Sequence, residues 1–147
     1  MLLGLSQVSA DAPQRVVSMN LCTDQLAMLL ADEGQQLSVS RIALDTHVSA
    51  MAQQARSYRI NYGQAEDIYL MQPDLVLAGE YTPSSTVDML RSLGIRVEVF
   101  RITSSLDGVP EQLAKMGKLL HRDAQAAAMI ADFNARRTAV AGQVGPR

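Results

Sequence analysis

The chain has 147 residues, 48% hydrophobic and 19% charged, with 13 basic against 15 acidic side chains and a net charge of −2. That length suits one domain with its own core; the composition excludes a disordered chain, and no apolar run approaches the ~18 residues of a membrane span. The basic residues are scattered, which argues against a nucleic-acid binder, and one Cys with two His leaves neither a disulfide framework nor a multi-histidine metal site.

Residues 1–10 carry no charge and end Val8-Ser9-Ala10, with small residues where a signal peptidase accepts them. They read as the remnant of a signal peptide, with a mature start at Asp11 and a place outside the cytoplasm. The alternative is a terminus of no special meaning. Arg15 to Met19 is a β-branched strand candidate, followed by a helix through Ala31 capped by Thr23 or Asp24, with Gly34 near its stop. Ser38 to Leu44 is a second strand candidate. Residues 45–62 carry weaker signals: a loop at Asp45-Thr46-His47 and a short helix over Ser49 to Arg56.

Ala65 to Gln72 reads as a two-turn helix closed by Pro73. Asp74 to Gly79 is a near-continuous apolar run, the pattern of a strand buried on both faces of a parallel sheet. Pro83 to Leu93 is a helix stopped by Gly94. Arg96 to Phe100 alternates, as a half-buried or edge strand does. Pro110 to Leu120 is amphipathic, and the Asp123 to Ala141 segment, with eight alanines, makes a long helix capped by Asp123. The fold expected is α/β: three layers, with a mainly parallel four- to five-stranded sheet and helices on both faces, ending in a long α-helix.

In such sheets ligands bind beyond the carboxyl ends of the strands. Four segments should gather there: Asn20-Leu21-Cys22-Thr23, Asp45-Thr46-His47, Asn61-Tyr62-Gly63 and Glu80-Tyr81-Thr82-Pro83. They offer amides, hydroxyls, one thiol, one imidazole and two flat phenol rings. The ligand-binding candidates are Asn20, Leu21, Cys22, Asp45, His47, Tyr62, Glu80 and Tyr81.

No glycine cradle for a dinucleotide or nucleoside triphosphate is present, and no GxSxG elbow. Cys22, just before a helix, is the sharpest nucleophile candidate, with His47 as its base. The plainer reading makes it a small residue filling the first helical turn. Tyr62 and Tyr81 likewise read either as ligand contacts or as loop aromatics covering the sheet end. His121 suits a helix C-terminus, and Glu66 and Asp67 suit a helix start.

Arg15-Val16-Val17-Ser18, then Thr23-Asp24-Gln25-Leu26, then Gly63 to Ile68 and Gln72-Pro73-Asp74-Leu75-Val76 form an ordered series that ends in the alanine-rich helix. The series resembles class III periplasmic substrate-binding proteins, the receptors that carry cobalamin, iron–siderophores or haem to ABC importers. It covers residues 15 to about 140. The resemblance implies two α/β lobes joined by one long helix, with the ligand between them. It also implies a glutamate on each lobe that docks on the membrane permease.

On that basis residues 11–122 are an N-terminal substrate-binding lobe, 123–141 the connecting helix and 142–147 a tail, with the second lobe lacking. Glu66 is the docking glutamate by position, and Tyr62 and Tyr81 are cleft aromatics. The function implied is a truncated periplasmic binding component, not an enzyme, with no cofactor, no metal and no nucleic acid. Weak or absent ligand binding by the chain alone is expected, and a homodimer through residues 123–141. The alternatives are a small enzyme using Cys22, or an α/β interaction module without a ligand.

Overall fold

A computed structural model describes residues 11–145. The signal-peptide remnant expected at 1–10 lies outside the described residues, as do the last two residues of the 142–147 tail. Five parallel strands, β1 (Val16–Ser18), β2 (Gln36–Ser40), β3 (Arg59–Asn61), β4 (Leu75–Gly79) and β5 (Val97–Phe100), lie in the order β3-β2-β1-β4-β5. Between and after them run α1 (Leu21–Leu30), α2 (Ala52–Ala55), α3 (Ala65–Leu70), α4 (Ser84–Ser92), α5 (Val109–Leu120) and α6 (Asp123–Gln143).

Strand periodicity sorts the core into two layers of helices. Val16, Leu75 and Leu77 face one side, where they pack with α1, α5 and the start of α6 through Ala27, Leu30, Leu113, Met116, Leu120 and Ala126. Val17, Val76 and Ala78 face the other, against Ile68 of α3 and Val87 and Leu90 of α4. Every residue of β4 is buried, which is why its sequence shows a run and not an alternation. Val97 and Phe100 of β5 are buried while Glu98 and Val99 are not, as suits an edge strand.

Polar staples close the sheet at its lower end. The Asp74 carboxylate accepts the backbone N–H groups of Gln14 at 2.7 Å and Arg15 at 2.9 Å, tying the entry of β1 to that of β4. The Arg15 guanidinium donates to the carbonyls of Met71 and Gln72 at the end of α3. On β5 the carbonyls of Val97 and Val99 accept from Arg91 of α4 and Lys115 of α5. Edge-strand carbonyls that would otherwise be open are thereby occupied.

Several boundaries differ from the sequence reading. α1 begins earlier, because the cap is Asn20: its Oδ1 accepts the Thr23 N–H at 3.0 Å. Thr23 and Asp24 are instead buried inside the helix. α1 also ends at Leu30, with Gly34 further along in a left-handed turn. The second strand runs Gln36–Ser40 and not Ser38 to Leu44, since the Ser40 N–H and hydroxyl both turn to the Asp24 carboxylate and Arg41–Leu44 coils into a 3-10 turn. β3 was not expected, being three residues long and opening on an exposed Arg59. α6 is preceded by Arg122 at the cap position, without a side-chain cap, and Asp123 is its first residue.

α6 spans 21 residues, about 31 Å of rise. It lies close on α5 because Gly117 has no side chain: a Cβ there would collide with that of Ala126. Met129 and Ile130 also pack on the core, so the first turns of the helix already cover their apolar face. From Asn134 onward its side chains are exposed.

Candidate functional site

The strand order reverses between β1 and β4, and the crevice beyond their carboxyl ends is where an open α/β sheet takes a ligand. Three local devices shape it. Asn20 leaves β1 in an extended conformation and caps α1, and its amide sits where Gly79 at the end of β4 has no side chain. Ser18 and Thr23 share a buried hydroxyl–hydroxyl bond of 2.7 Å beneath that cap. Asn61, 1% exposed, donates through its Nδ2 to the Ser18 carbonyl, the Ser38 hydroxyl and the Val39 carbonyl. Its Oδ1 accepts the N–H of Gly63, which takes a positive φ of 72° to reach it. One buried amide thus joins the ends of three strands and orients the loop that carries Tyr62.

Above this floor lies an open cleft of about 640 Å³. Its walls come from Asn20, Leu21 and Cys22 at the start of α1, from Tyr62 to Gln64, from Gly79 to Pro83, and from Phe100 to Ile102. Tyr62 and Tyr81 are 65% and 83% exposed, so both rings are available to a flat apolar surface. Glu80 and Arg101 are the charged residues of the lining.

Six of the eight ligand-binding candidates meet at this cleft: Asn20, Leu21, Cys22, Tyr62, Glu80 and Tyr81. Asp45 and His47 do not line it. They sit on the loop after the 3-10 turn, where the Asp45 carboxylate accepts the His47 backbone N–H at 2.8 Å and faces its ring at 3.1 Å. Those two bonds hold the Asp45 carboxyl below its usual range. The His47 ring is 91% exposed and is turned to Asp45, so no nucleophile–base pair with Cys22 is assembled. Glu66 is exposed in the first turn of α3, on the same end of the sheet as the cleft.

The wall formed by Phe100, Arg101 and Ile102 was missed from sequence. The signal existed, because the rule that collected the other loops applies equally to the carboxyl end of β5. Gly79 also escaped notice as a site residue, since only its contact with Asn20 shows what a side chain there would do. Gly79→Ala is expected to push the Asn20 amide out of its capping position and cost about 1–2 kcal/mol, the value of a lost N-cap. Urea unfolding measures it, and an unchanged midpoint would show that the cap does not depend on this close approach.

No known family profile matches the chain. A cobalamin-binding protein of Halobacterium salinarum is 33% identical over 132 residues, which are 90% of this chain and 36% of the relative. In fold, the periplasmic haem-binding protein HutB of Vibrio cholerae matches with a TM-score of 0.76 at 18% identity, over 91% of this chain and 51% of that one. A possible iron-binding periplasmic solute-binding protein of Staphylococcus epidermidis gives 0.74 at 19% identity, over 93% and 54%. The periplasmic vitamin B12-binding protein of Vibrio cholerae gives 0.70 at 20% identity, over 90% and 51%. The chain therefore spans about a third of the length of its curated relative and about half that of these structures. All four are named as binding proteins and none as an enzyme. In sequence the chain is similar to about a third of a cobalamin-binding protein, and in fold it is an α/β unit with the architecture found in these three periplasmic binding-protein structures.

Proposed function

We propose that the chain is the N-terminal, ligand-binding lobe of a periplasmic receptor that feeds an ABC importer with cobalamin or an iron–siderophore or haem-type ligand. The observation that carries this reading is the cleft at the β1/β4 switch point, with Tyr62 and Tyr81 exposed on its rim. A broad macrocycle or metal chelate needs flat apolar contact with a few orienting polar atoms. The phenols, the Asn20 amide and the Arg101 guanidinium offer that combination. Glu66, exposed at the same end, suits bidentate pairing with arginines of a permease in the inner membrane. Residues 11–122 form the lobe in this reading and 123–141 the connecting helix. The same proposal takes a second copy of the chain as a possible partner along residues 123–141, where α6 is exposed from Asn134 onward.

A cleft with walls on one side covers a ligand on one side, so affinity should be modest. Calorimetric titration with cyanocobalamin, haemin and a ferric hydroxamate siderophore is expected to give a Kd of about 10 μM or weaker for one of them, near −7 kcal/mol. Tyr62→Ala with Tyr81→Ala should weaken that at least about tenfold, as loss of two aromatic contacts would. Submicromolar binding by a proven monomer would overturn the one-walled account. Absence of binding to all three at millimolar concentration would overturn the ligand site.

A further inference from the structure

The β4–β5 ladder ends with Gly79 opposite Phe100, yet the two chains stay joined for two residues more. The Glu80 N–H donates to the Phe100 carbonyl at 3.0 Å. In a parallel ladder of this register the next donor, the Ile102 N–H, would go to the backbone carbonyl of Glu80. It goes instead to the Glu80 side chain, whose Oε1 accepts it at 2.7 Å. The carboxylate takes the place of its own main-chain carbonyl. The main chain after Glu80 is then free to leave the sheet, and it does so in a tight turn: Thr82 N–H to the Gly79 carbonyl at 2.9 Å, Gly79 N–H to the Thr82 hydroxyl at 3.1 Å. That turn leaves Tyr81 exposed at the rim, while the segment after β5 brings Arg101 and Ile102 to the same lining.

We propose that Glu80 is a positioning residue of the cleft, acting through the Ile102 peptide and not through charge on a bound ligand. The proposal rests on the reading of the cleft as a ligand site, but its mechanical part does not need a ligand. A charge-assisted bond from a peptide N–H is stronger than a neutral one in the same exposed setting, and it links the two loops that carry Tyr81 and Arg101. Glutamine keeps an acceptor of the same reach, whereas alanine removes it.

Amide hydrogen exchange of the free chain, read residue by residue by NMR, tests the mechanical part. In Glu80→Ala the Ile102 amide should exchange at least about tenfold faster than in the wild type, with the Phe100 amide inside the ladder unchanged. In Glu80→Gln it should stay within about threefold of the wild type. An Ile102 amide unaffected by Glu80→Ala, or as fast in Glu80→Gln as in Glu80→Ala, would overturn the proposal. Titration with cyanocobalamin adds the functional arm: Glu80→Gln should bind within about twofold of the wild type and Glu80→Ala several-fold more weakly. Equal losses in both variants, with Ile102 still protected in Glu80→Gln, would make the carboxylate a direct ligand contact and overturn the positioning role. A wild type that binds no cyanocobalamin would count against that ligand for the cleft, while the exchange rates would still decide the role of Glu80.

Discussion

Asp24→Asn is expected to remove a fall in stability between about pH 4 and pH 6 and to leave the chain more stable at neutral pH. Asp24 is fully buried in α1. Its Oδ1 accepts the Ser40 N–H at 3.0 Å, and its Oδ2 accepts the Ser40 hydroxyl. Burial raises its carboxyl from 3.8 to about 6, against the lowering effect of the bonds from Ser40 and Ser18. Between those values the folded chain holds a proton that the unfolded chain has lost, so stability declines as pH rises. Below the lower value the fold carries no penalty. Above about 6 it carries the whole cost of a buried charge, on the order of 3 kcal/mol. Asparagine keeps an acceptor for the Ser40 N–H and can donate to the Ser40 hydroxyl. Urea unfolding at pH 4 and pH 7 should therefore show the variant near the wild type at pH 4 and about 1–3 kcal/mol more stable at pH 7. Asp45 titrates in the opposite sense, but it is exposed and common to both proteins, so it cancels. Parallel pH profiles for the two proteins would show that Asp24 is not the source.

Asn61→Ala should be about as large in the other direction. Three acceptors lose their shared donor: the Ser18 carbonyl at 2.8 Å, the Ser38 hydroxyl at 2.9 Å and the Val39 carbonyl at 3.0 Å. Losing these bonds costs about 2–4 kcal/mol in total, partly relieved if water enters and by the Ser38 hydroxyl, which also donates to the Val39 carbonyl. Asn61→Asp should be worse, because an ionised oxygen would then face two carbonyls. Denaturant midpoints for the two variants give the answer, and a loss below about 1 kcal/mol for alanine would mean that the strand ends are held by the ladder alone. The Gly63 N–H also loses its acceptor, so the loop bearing Tyr62 should loosen.

These two residues mark what sequence could and could not convey. The buried run Leu75 to Gly79, the amphipathic α5 and the alanine-rich α6 each announce themselves through periodicity, which packing enforces over many residues at once. β3 could not do so, since three residues, one of them a solvent-facing Arg59, make no period. Asp24 and Asn61 are polar letters in ordinary positions. Their burial depends on which strand ends meet, and that is a property of the assembled sheet. The cleft was legible in outline because strand ends converge by topology, so Asn20, Cys22, Tyr62 and Tyr81 fell where expected. Asp45 and His47 followed the same rule and still landed outside: the 3-10 turn at Arg41–Leu44 comes between them and the end of β2, and its Ile42 takes the place on the lining. The Asp74 of the Pro73-Asp74-Leu75-Val76 series turned out to be a clamp on backbone amides, a role that a motif match does not disclose.

That clamp has a bearing on how the chain is made. β1 is the central strand and leads the others in sequence, and its Val16 pairs with Leu75, some sixty residues further on. During synthesis the middle of the sheet therefore waits, with one flank paired to β2 at most, until β4 and Asp74 have emerged. Closing so long a loop is slow relative to local helix formation. The nascent chain spends that interval with Val16, Val17 and the apolar faces of α1 and α3 uncovered, so its hazard lies before β4 emerges, while the centre of the sheet cannot yet close.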